Sequence, residues 1–350
     1  MPRTQEGSPA DVHPETGRRL SRNAAFALVV GACALFAASY VAWAAVRERS
    51  APDDVVLSAA DRAAVRAITK RPHVLFQDVA LDAGYAHVAV APRARPGARV
   101  ISPLVCERVH FAAGRGLCLY PKRGGIGWKF DVKLFGSDFQ PKQTLTLGGL
   151  ITRARVSPDG RYGAVTSFVN GHSYAELGQF STQTTLIDMS TGRRLGDLEE
   201  FEVLREGRRI DDIDVNFWGV TFARDSNRFY ATLATRGKIY LVEGNVAAKR
   251  LRVVREDVEC PSLSPDNKRI AYKKRMKEGW RLHVLDLATG VETPLAETRS
   301  VDDQVEWLDN RRILYGLDAA IRVTLADGSG RPRILIPDAQ SPAVVRPPRA

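Results

Sequence analysis

His172, Ser173 and Tyr174 lie in the segment GHSYA, the part of the chain closest to a catalytic motif. The segment is similar to the G-x-S-x-G elbow, which places a nucleophilic serine between a strand and a helix. A strand is predicted before this segment, but the residues after Gly178 predict a second strand and no helix. We therefore predict that the three residues lie in a long loop that binds a ligand. The alternative is a serine- or metal-dependent hydrolase or lyase of the cell envelope.

An acidic cluster offers a different chemistry. Asp211, Asp212 and Asp214 are followed closely by Asn216, and such oxygens are the ligands that Ca²⁺ prefers. The spacing differs from an EF-hand loop, which has a glycine at its sharp turn and a bidentate glutamate at its end. We expect a solvated segment that leads into a strand, and no cofactor. Bound calcium is the alternative.

Two groups of side chains are predicted to surround a binding pocket. Asn216 and Trp218 open a predicted strand, where the indole could line a pocket or pack in the core. Asp302, Asp303 and Gln304 come just before another strand, so they are expected to form an acidic rim. Together with the GHSYA loop, these residues form the predicted ligand-binding face.

The cysteines and histidines indicate no zinc site. The six histidines are dispersed, and no H-x-x-x-H or C-x-x-C pair occurs. Cys106 and Cys118 are near in sequence and flank one predicted hairpin, so they are the preferred disulfide. Cys260 would then be a buried free thiol. Other pairings stay open.

Residues 24–46 form an apolar run without a charged residue. Its 23 residues would make a helix of about 34 Å, enough to cross a hydrocarbon core of about 30 Å. Basic residues flank the run at Arg18, Arg19 and Arg22 before it, and at Arg47 and Arg49 after it. Glu48 dilutes the second group, so the positive-inside rule predicts a cytoplasmic N-terminus and an extracellular C-terminal part. A cleaved signal peptide is the alternative.

The rest of the chain divides by composition. Residues 1–22 are polar and proline-containing, which predicts a disordered cytoplasmic tail, and the anchor is assigned to residues 23–46. Residues 47–72 are a linker in which SAADRAAVRAI predicts one short helix starting at Ser58. Residues 73–345 alternate short apolar runs with turn residues, which predicts an all-β domain. Residues 346–350 form a C-terminal tail.

Internal repeats define the architecture of the all-β domain. The turn VSPDGRY, from Val156, recurs as LSPDNKRI, from Leu263. A second pair lies downstream of each, LIDMSTG from Leu186 and VLDLATG from Val284. Both are hairpin turns, because proline, aspartate, asparagine and glycine suit tight reversals. Copies spaced in the low forties predict units of four strands, as in a propeller blade.

Six blades are predicted. Their expected ranges are 73–104, 105–148, 150–200, 213–253, 257–297 and 301–340. The interval before the fourth blade contains an insertion of about 20 residues, estimated from the blade period. The segment SPAVV, 341–345, is expected to return to the first blade, which would remove a free sheet edge.

These repeats resemble the six-bladed TolB-like propellers. The two SPD turns and the two D-x-x-T-G turns carry the resemblance over residues 73–345. More narrowly, segments such as CERVHFAAGRGLCLY and NFWGVTFA resemble membrane-anchored TolB-like proteins of high-GC Gram-positive bacteria. The resemblance implies an all-β, six-bladed fold without an assigned activity. Periplasmic TolB has an additional α/β domain, for which residues 1–72 are too few.

The net charge of +11 favours anionic partners, but the lysines and arginines are scattered along the chain. No aromatic-basic stripe of the kind that binds single-stranded nucleic acid occurs. We therefore expect a solvated basic surface and no nucleic-acid partner. The predicted function is a membrane-anchored, non-catalytic module that binds an envelope protein, a peptide or another envelope ligand in the channel of the propeller.

Overall fold

The computed structural model describes residues 22–49, 57–122, 127–169 and 181–346. The chain divides into two compact units, Met1–Asp53 and Asp54–Ala350. In the first unit, helix α1 spans Arg22–Arg49. A search of the described residues for a helix with the length and hydropathy of a membrane span finds none.

The described strands of the second unit form six sheets, the blades of a propeller. The first two blades contain β1 (His73–Asp78), β2 (His87–Pro92) and β3 (Val100–Val105), then β4 (Arg108–Ala112), β5 (Arg115–Lys122), β6 (Lys129–Gly136) and β7 (Pro141–Gly148). The third and fourth contain β8 (Leu150–Val156), β9 (Tyr162–Val169), β10 (Ser181–Asp188) and β11 (Arg194–Asp197), then β12 (Glu202–Arg205), β13 (Arg208–Arg209), β14 (Asn216–Phe222), β15 (Arg228–Thr235), β16 (Lys238–Asn245) and β17 (Arg250–Glu256). The last two contain β18 (Glu259–Leu263), β19 (Arg269–Arg275), β20 (Trp280–Asp286) and β21 (Glu292–Pro294), then β22 (Glu306–Trp307), β23 (Arg312–Leu317), β24 (Ala320–Leu325) and β25 (Arg333–Pro337).

The ring is closed by β26 (Ala339–Val345), which joins the first blade beside β1. The two strands are antiparallel, and His73 lies opposite Val345. The innermost strands β4, β8, β14, β18 and β22 contact one another in succession, and β26 contacts both β22 and β4. The six-bladed propeller and the return of residues 341–345 to the first blade are thus confirmed.

The fourth blade carries the insertion predicted before it. Strand β12 pairs in parallel with β17, and β13 pairs with β12, so this sheet has six strands. The 3₁₀ turn Leu198–Glu200 leads into this extension. The insertion therefore covers the outer edge of the blade, which would otherwise expose unpaired backbone groups.

The antiparallel order gives the propeller two distinct ends. We call the end where the innermost strands begin the start face; it holds the hairpin loops at 236–237 and 276–279. We call the opposite end the turn face; it holds the SPD turns at 157–161 and 264–268 and the turn at 189–193. All innermost strands therefore run from the start face to the turn face.

The repeated turns share their hydrogen bonds. The Ser157 hydroxyl donates to Asp159 over 2.8 Å and accepts the N–H of Tyr162 over 2.9 Å. In the second copy, the Ser264 hydroxyl likewise contacts Asp266 and accepts a backbone N–H four residues beyond the proline. The repeat in the sequence is therefore a repeat of turn chemistry.

Helix α2 spans Ala59–Thr69, which confirms the short helix predicted in the linker. Ser58 caps it by accepting the N–H of Asp61 over 3.0 Å. Val65 is buried in the core of the first blade, and Ile68 packs against it. The helix thereby covers the outer strand of this blade.

Cys106 and Cys118 form a disulfide with a Cα–Cα distance of 5.3 Å, as predicted. Val109 is the residue paired with Cys118 across β4 and β5, so Cys106 lies just before the strand. The bridge therefore joins the connection between the first two blades to β5. Cys260 is a buried free thiol, also as predicted.

Candidate ligand-binding site

Two layers of charged side chains are expected in the channel from the alternation of the innermost strands. Residues two apart lie on the same side of a strand, so Arg108 and His110 of β4 share one side. The same holds for Arg153 and Arg155 of β8. His110, Arg153 and Arg155 are buried, and Arg108 is half-buried. The first members of these pairs lie nearer the start face, and the second members nearer the turn face.

The layer nearer the turn face is an ion-paired triad. Arg155 pairs through Nη1 with Oε2 of Glu306, and the same Nη1 is 3.1 Å from Nε2 of His110. Nε2 is also 3.8 Å from the Glu306 carboxylate. The backbone N–H of Val156 donates to Nδ1 over 3.1 Å, so Nδ1 accepts. The proton of a neutral His110 ring therefore lies on Nε2.

Burial sets the charge state of this triad. Desolvation lowers the pKa of His110 and outweighs the opposing effect of the nearby Glu306 carboxylate, so the ring is neutral near pH 7. Burial on its own would raise the pKa of Glu306, but the Arg155 guanidinium and His110 outweigh it and bring that pKa to about 2. The triad is thus a carboxylate held by a guanidinium and a neutral imidazole.

A cavity of about 230 Å³ lies on the turn-face side of the triad, which forms its floor. Arg224 and Arg346 stand at its rim, and both are exposed. The Arg224 guanidinium donates to the Pro265 carbonyl over 2.5 Å, and that of Arg346 donates to the Trp307 carbonyl over 2.5 Å. Its apolar walls are formed by Phe111, Pro158, Phe222, Leu263, Trp307 and Val344.

The layer nearer the start face is centred on Asp302, one of the predicted residues. Its carboxylate accepts from Lys273 and from Arg153, over 2.5 and 3.2 Å. Burial raises the pKa of Asp302, but these two cations outweigh it and lower the pKa overall. Lys273 is fully buried and lies 4.3 Å from the centre of the Trp280 ring.

Asp303 and Gln304 bind backbone rather than an open space. Asp303 accepts the N–H of Gly316 over 2.8 Å. The Gln304 amide donates to the carbonyls of Val220 and Pro261, both over 3.0 Å. The void beside Asp303 and Gln304 measures about 20 Å³, room for about one water. The structure therefore brings Asp302, Asp303 and Gln304 together as a brace between the inner strands of several blades.

Asn216 and Trp218 are placed away from this brace. The Asn216 side chain accepts the N–H of Thr182 over 2.8 Å and so ties the third blade to the fourth. Trp218 is fully buried and packs with Phe168 and Cys260. Its indole belongs to the core, which is one of the two placements that the sequence left open.

His172, Ser173 and Tyr174 lie outside the described residues. The predicted loop and the alternative nucleophile therefore stay predictions.

The acidic cluster of the insertion is neutralised locally. The Arg236 guanidinium donates to Asp212 over 2.8 Å, and its backbone N–H donates to Asp214 over 2.6 Å. The Thr235 hydroxyl donates to Asp214 over 2.7 Å and lowers the pKa of that carboxyl. In the four described ranges, no group of three or more His, Cys, Asp or Glu side chains is arranged to hold a metal ion.

The cavity residues were missed at the level of sequence, although a signal was present. Arg108-x-His110 and Arg153-x-Arg155 place charged or polar groups two apart in strands that should otherwise be apolar. Buried charges of this kind are rare unless they are paired. An innermost strand with alternating cations therefore indicates a lined channel.

No family model matches the chain, and no curated protein matches its sequence. Among solved structures, TolB from Acinetobacter baumannii is 15% identical with a TM-score of 0.54, over 80% of this chain and 67% of that one. A putative TolB from Agrobacterium tumefaciens is 10% identical with a TM-score of 0.46, over 76% and 88%. A chain of a nidogen/laminin complex is 11% identical with a TM-score of 0.50, over 78% and 98%. At these identities the likeness concerns the fold alone: the second unit is a TolB-like six-bladed β-propeller.

Proposed function

We propose that this protein is a membrane-anchored, extracytoplasmic binding module that takes a short segment of an envelope protein or peptide into the turn-face cavity, without catalysing a reaction. The observation that carries the proposal is the cavity itself, with apolar walls, a charged floor and a cationic rim. Such a combination suits a guest that has both an apolar part and a negative charge.

The size of the cavity favours a peptide over a larger small molecule. Sites for drug-sized ligands and cofactors measure about 300–1,000 Å³. At about 230 Å³, this cavity is smaller than that range, and it suits a guest the size of one or two side chains. A protruding peptide segment meets this limit, while the rest of its protein would rest on the surrounding turns.

The protonation of the floor supports a non-catalytic role. General acid–base catalysis is most efficient when the pKa of the group lies near the working pH. Glu306 has a pKa of about 2, and the pKa of His110 is lowered by burial. Glu306 is also paired with Arg155, and Nδ1 of His110 accepts the backbone N–H of Val156, so both groups are held in place.

The anchor and the compartment are proposed from the sequence. Residues 24–46 contain no charged residue, and the flanking arginines favour a cytoplasmic N-terminus. The disulfide between Cys106 and Cys118 supports an oxidising compartment for the propeller, because disulfides persist outside the cytoplasm. The resemblance of the sequence to membrane-anchored TolB-like proteins of high-GC Gram-positive bacteria supports the same proposal.

One similar structure supports binding by this architecture. The nidogen/laminin structure is that of a complex, so a propeller-like fold of similar extent occurs there in a protein assembly. That likeness concerns architecture only.

The test compares rim variants in the full chain, solubilised from its own membranes. We expect a partner that co-purifies with the wild-type chain to be lost from the double variant Arg224→Glu and Arg346→Glu, because the rim would repel an anionic segment. The matched control reverses Arg193 and Arg331, which are exposed and lie outside the cavity lining. Thermal unfolding checks that both double variants fold.

Equal recovery of the partner by the rim and control variants would contradict the proposal that the partner binds in the cavity. Recovery of no stoichiometric partner by any chain would contradict a protein-binding function. Extraction at alkaline pH tests the anchor separately: the full chain is expected to stay with the membrane pellet.

A further inference from the structure

A cluster of basic side chains lies where the described part of the second unit begins. It combines one side of α2 with the residues that follow the helix and with the turn between β2 and β3. We call it the α2 basic surface, and its members are Arg62, Arg66, Lys70, Arg71, Arg93 and Arg95.

The helix directs its basic residues to solvent. Arg62, Arg66 and Lys70 follow one another at intervals of four residues, which places them along one side of a helix. Val65 and Ile68 lie on the side that packs into the core. All three basic residues are exposed, so they form a continuous stripe on the outer side of α2.

The remaining members are joined to this stripe through the backbone. The N–H of Arg93 donates to the carbonyl of Pro72 over 3.1 Å, so the turn after β2 lies beside the residues that follow α2. Arg71 and Arg95 are exposed, and Arg93 is half-buried. The two segments therefore present one surface at the turn face.

Within the described residues, none of the six cations makes an ion pair, whereas their neighbour Arg99 pairs with Asp78 over 2.7 Å. Asp61 is the acidic residue of α2, and its carboxylate accepts the hydroxyl of Ser58, the residue that caps the helix, over 2.6 Å. The next acidic residues in sequence, Asp53 and Asp54, lie outside the described ranges. The surface therefore keeps a positive charge that the described residues around it do not neutralise.

We propose that the α2 basic surface binds the anionic phospholipid headgroups of the membrane that carries the protein, an inference that rests on the proposed anchor. Twelve residues, 47–58, separate the apolar run from α2 and span at most about 40 Å when extended. The surface is thus tethered near the headgroups. Each lysine or arginine at an anionic surface strengthens the association about fivefold, and salt weakens it.

The experiment uses the full chain in nanodiscs of phosphatidylcholine, with or without about one third phosphatidylglycerol. Hydrogen–deuterium exchange is followed in the amides of 59–69 and 93–99. We expect exchange in both segments to be slower by about fivefold or more in the anionic discs, and the difference to vanish at high salt.

Charge-neutralised variants locate the effect. Arg62→Gln, Arg66→Gln and Lys70→Gln together are expected to abolish the slowing. The matched control carries the same number of changes at exposed positions near the start face, Lys129→Gln, Arg208→Gln and Lys277→Gln. It is expected to behave as the wild-type chain does. Loss of the slowing in the control alone would overturn the assignment.

Co-migration with the discs separates this inference from the anchor. If the chain co-migrates with both discs but exchanges equally in both, the lipid contact is wrong and the anchor stands. If it co-migrates with anionic discs alone, the basic surface binds lipid and the anchor is wrong. If it co-migrates with neither, both fail. Duplex DNA that slows the same amides as strongly as anionic lipid would overturn the assignment to lipid.

Discussion

At the scale of single residues, the channel shows how a buried carboxylate is kept charged. Glu306 is 7% exposed, yet its pKa is about 2, because Arg155 and His110 offset the cost of burial. The sequence contains this information only as charges at alternating strand positions. Which carboxylate meets which cation depends on the closure of the ring, since Arg155 and Glu306 are 151 residues apart.

Replacing Arg155 by methionine is expected to destabilise the protein by about 3–5 kcal/mol, because it leaves Glu306 charged and unpaired in the channel. The double variant Arg155→Met with Glu306→Gln should recover most of this loss. Unfolding by urea at pH 7 measures both. Arg161→Met is the control, since its partner Asp159 is at the surface, where an ion pair adds little to stability. A double variant no more stable than the single one would contradict the explanation.

A second residue-scale prediction concerns Glu199, which accepts the backbone N–H groups of Thr184 and Phe217. Burial raises its pKa to about 8, so the folded protein holds a proton that the unfolded chain releases near pH 4.5. Stability from this group is therefore complete below about pH 4.5 and is lost as the pH rises to about 8.

The expected result is a wild-type melting temperature that falls between pH 5 and 8, and a flatter profile for Glu199→Gln. Asp188→Asn is the control: hydrogen bonds from Ser190 lower the pKa of Asp188 to about 2, so its titration lies below this window. Parallel profiles for the wild-type chain and Glu199→Gln would refute the assignment.

At the scale of elements, the hairpin turns could be predicted from the sequence more easily than the side of a strand on which a residue lies. The SPD and D-x-x-T-G segments specify hairpins through local hydrogen bonds, so their strands follow from the sequence. The sequence left two placements open for Trp218, because local pattern does not indicate whether a strand residue points into the channel or between blades. The sequence did not predict that β12 and β13 are strands. The reason is that β12 pairs with β17, a segment 48 residues away, with Glu202 opposite Arg250.

The Cys106–Cys118 disulfide links two elements, and its contribution to the free energy of unfolding can be measured. It closes a loop with a sequence separation of 12, for which chain entropy predicts about 3 kcal/mol of stabilisation. The double variant Cys106→Ala and Cys118→Ala should lose about that amount in urea unfolding. Reductant should destabilise the wild-type chain similarly and leave the double variant unchanged. A reductant effect that persists in the variant would point to Cys260 instead.

At the scale of the whole molecule, the repeat and its period predicted six blades and their closure. Six sheets around one axis bury the apolar faces of every blade against its neighbours, and the comparison with TolB agrees in fold. The position of the cavity was not predictable, because it depends on how far each innermost strand extends beyond the charged triad. The sequence indicates the start face, where a void beside Gly237 and Lys238 measures about 260 Å³, whereas the cavity above the triad lies at the turn face.

Removing β26 is expected to prevent folding of the entire propeller rather than of one blade. A chain ending at Asp338 loses the innermost strand of the first blade, together with the buried residues Ala343, Val344 and Val345. Circular dichroism and limited proteolysis should show a largely unfolded, protease-sensitive chain. A chain ending at Arg346 is the control and should melt as the full chain does. A stable five-bladed remainder would contradict this view of closure.

The pairing of β26 with β1 also has a consequence for biogenesis. β1 is the first described strand of the propeller to be synthesised and β26 is the last, so the first blade lacks its innermost strand until the rest of the propeller has been made. In the proposed extracytoplasmic location, this delay would keep the domain unclosed while the chain crosses the bilayer. The same delay exposes an unpaired β1 edge, which chaperones would bind.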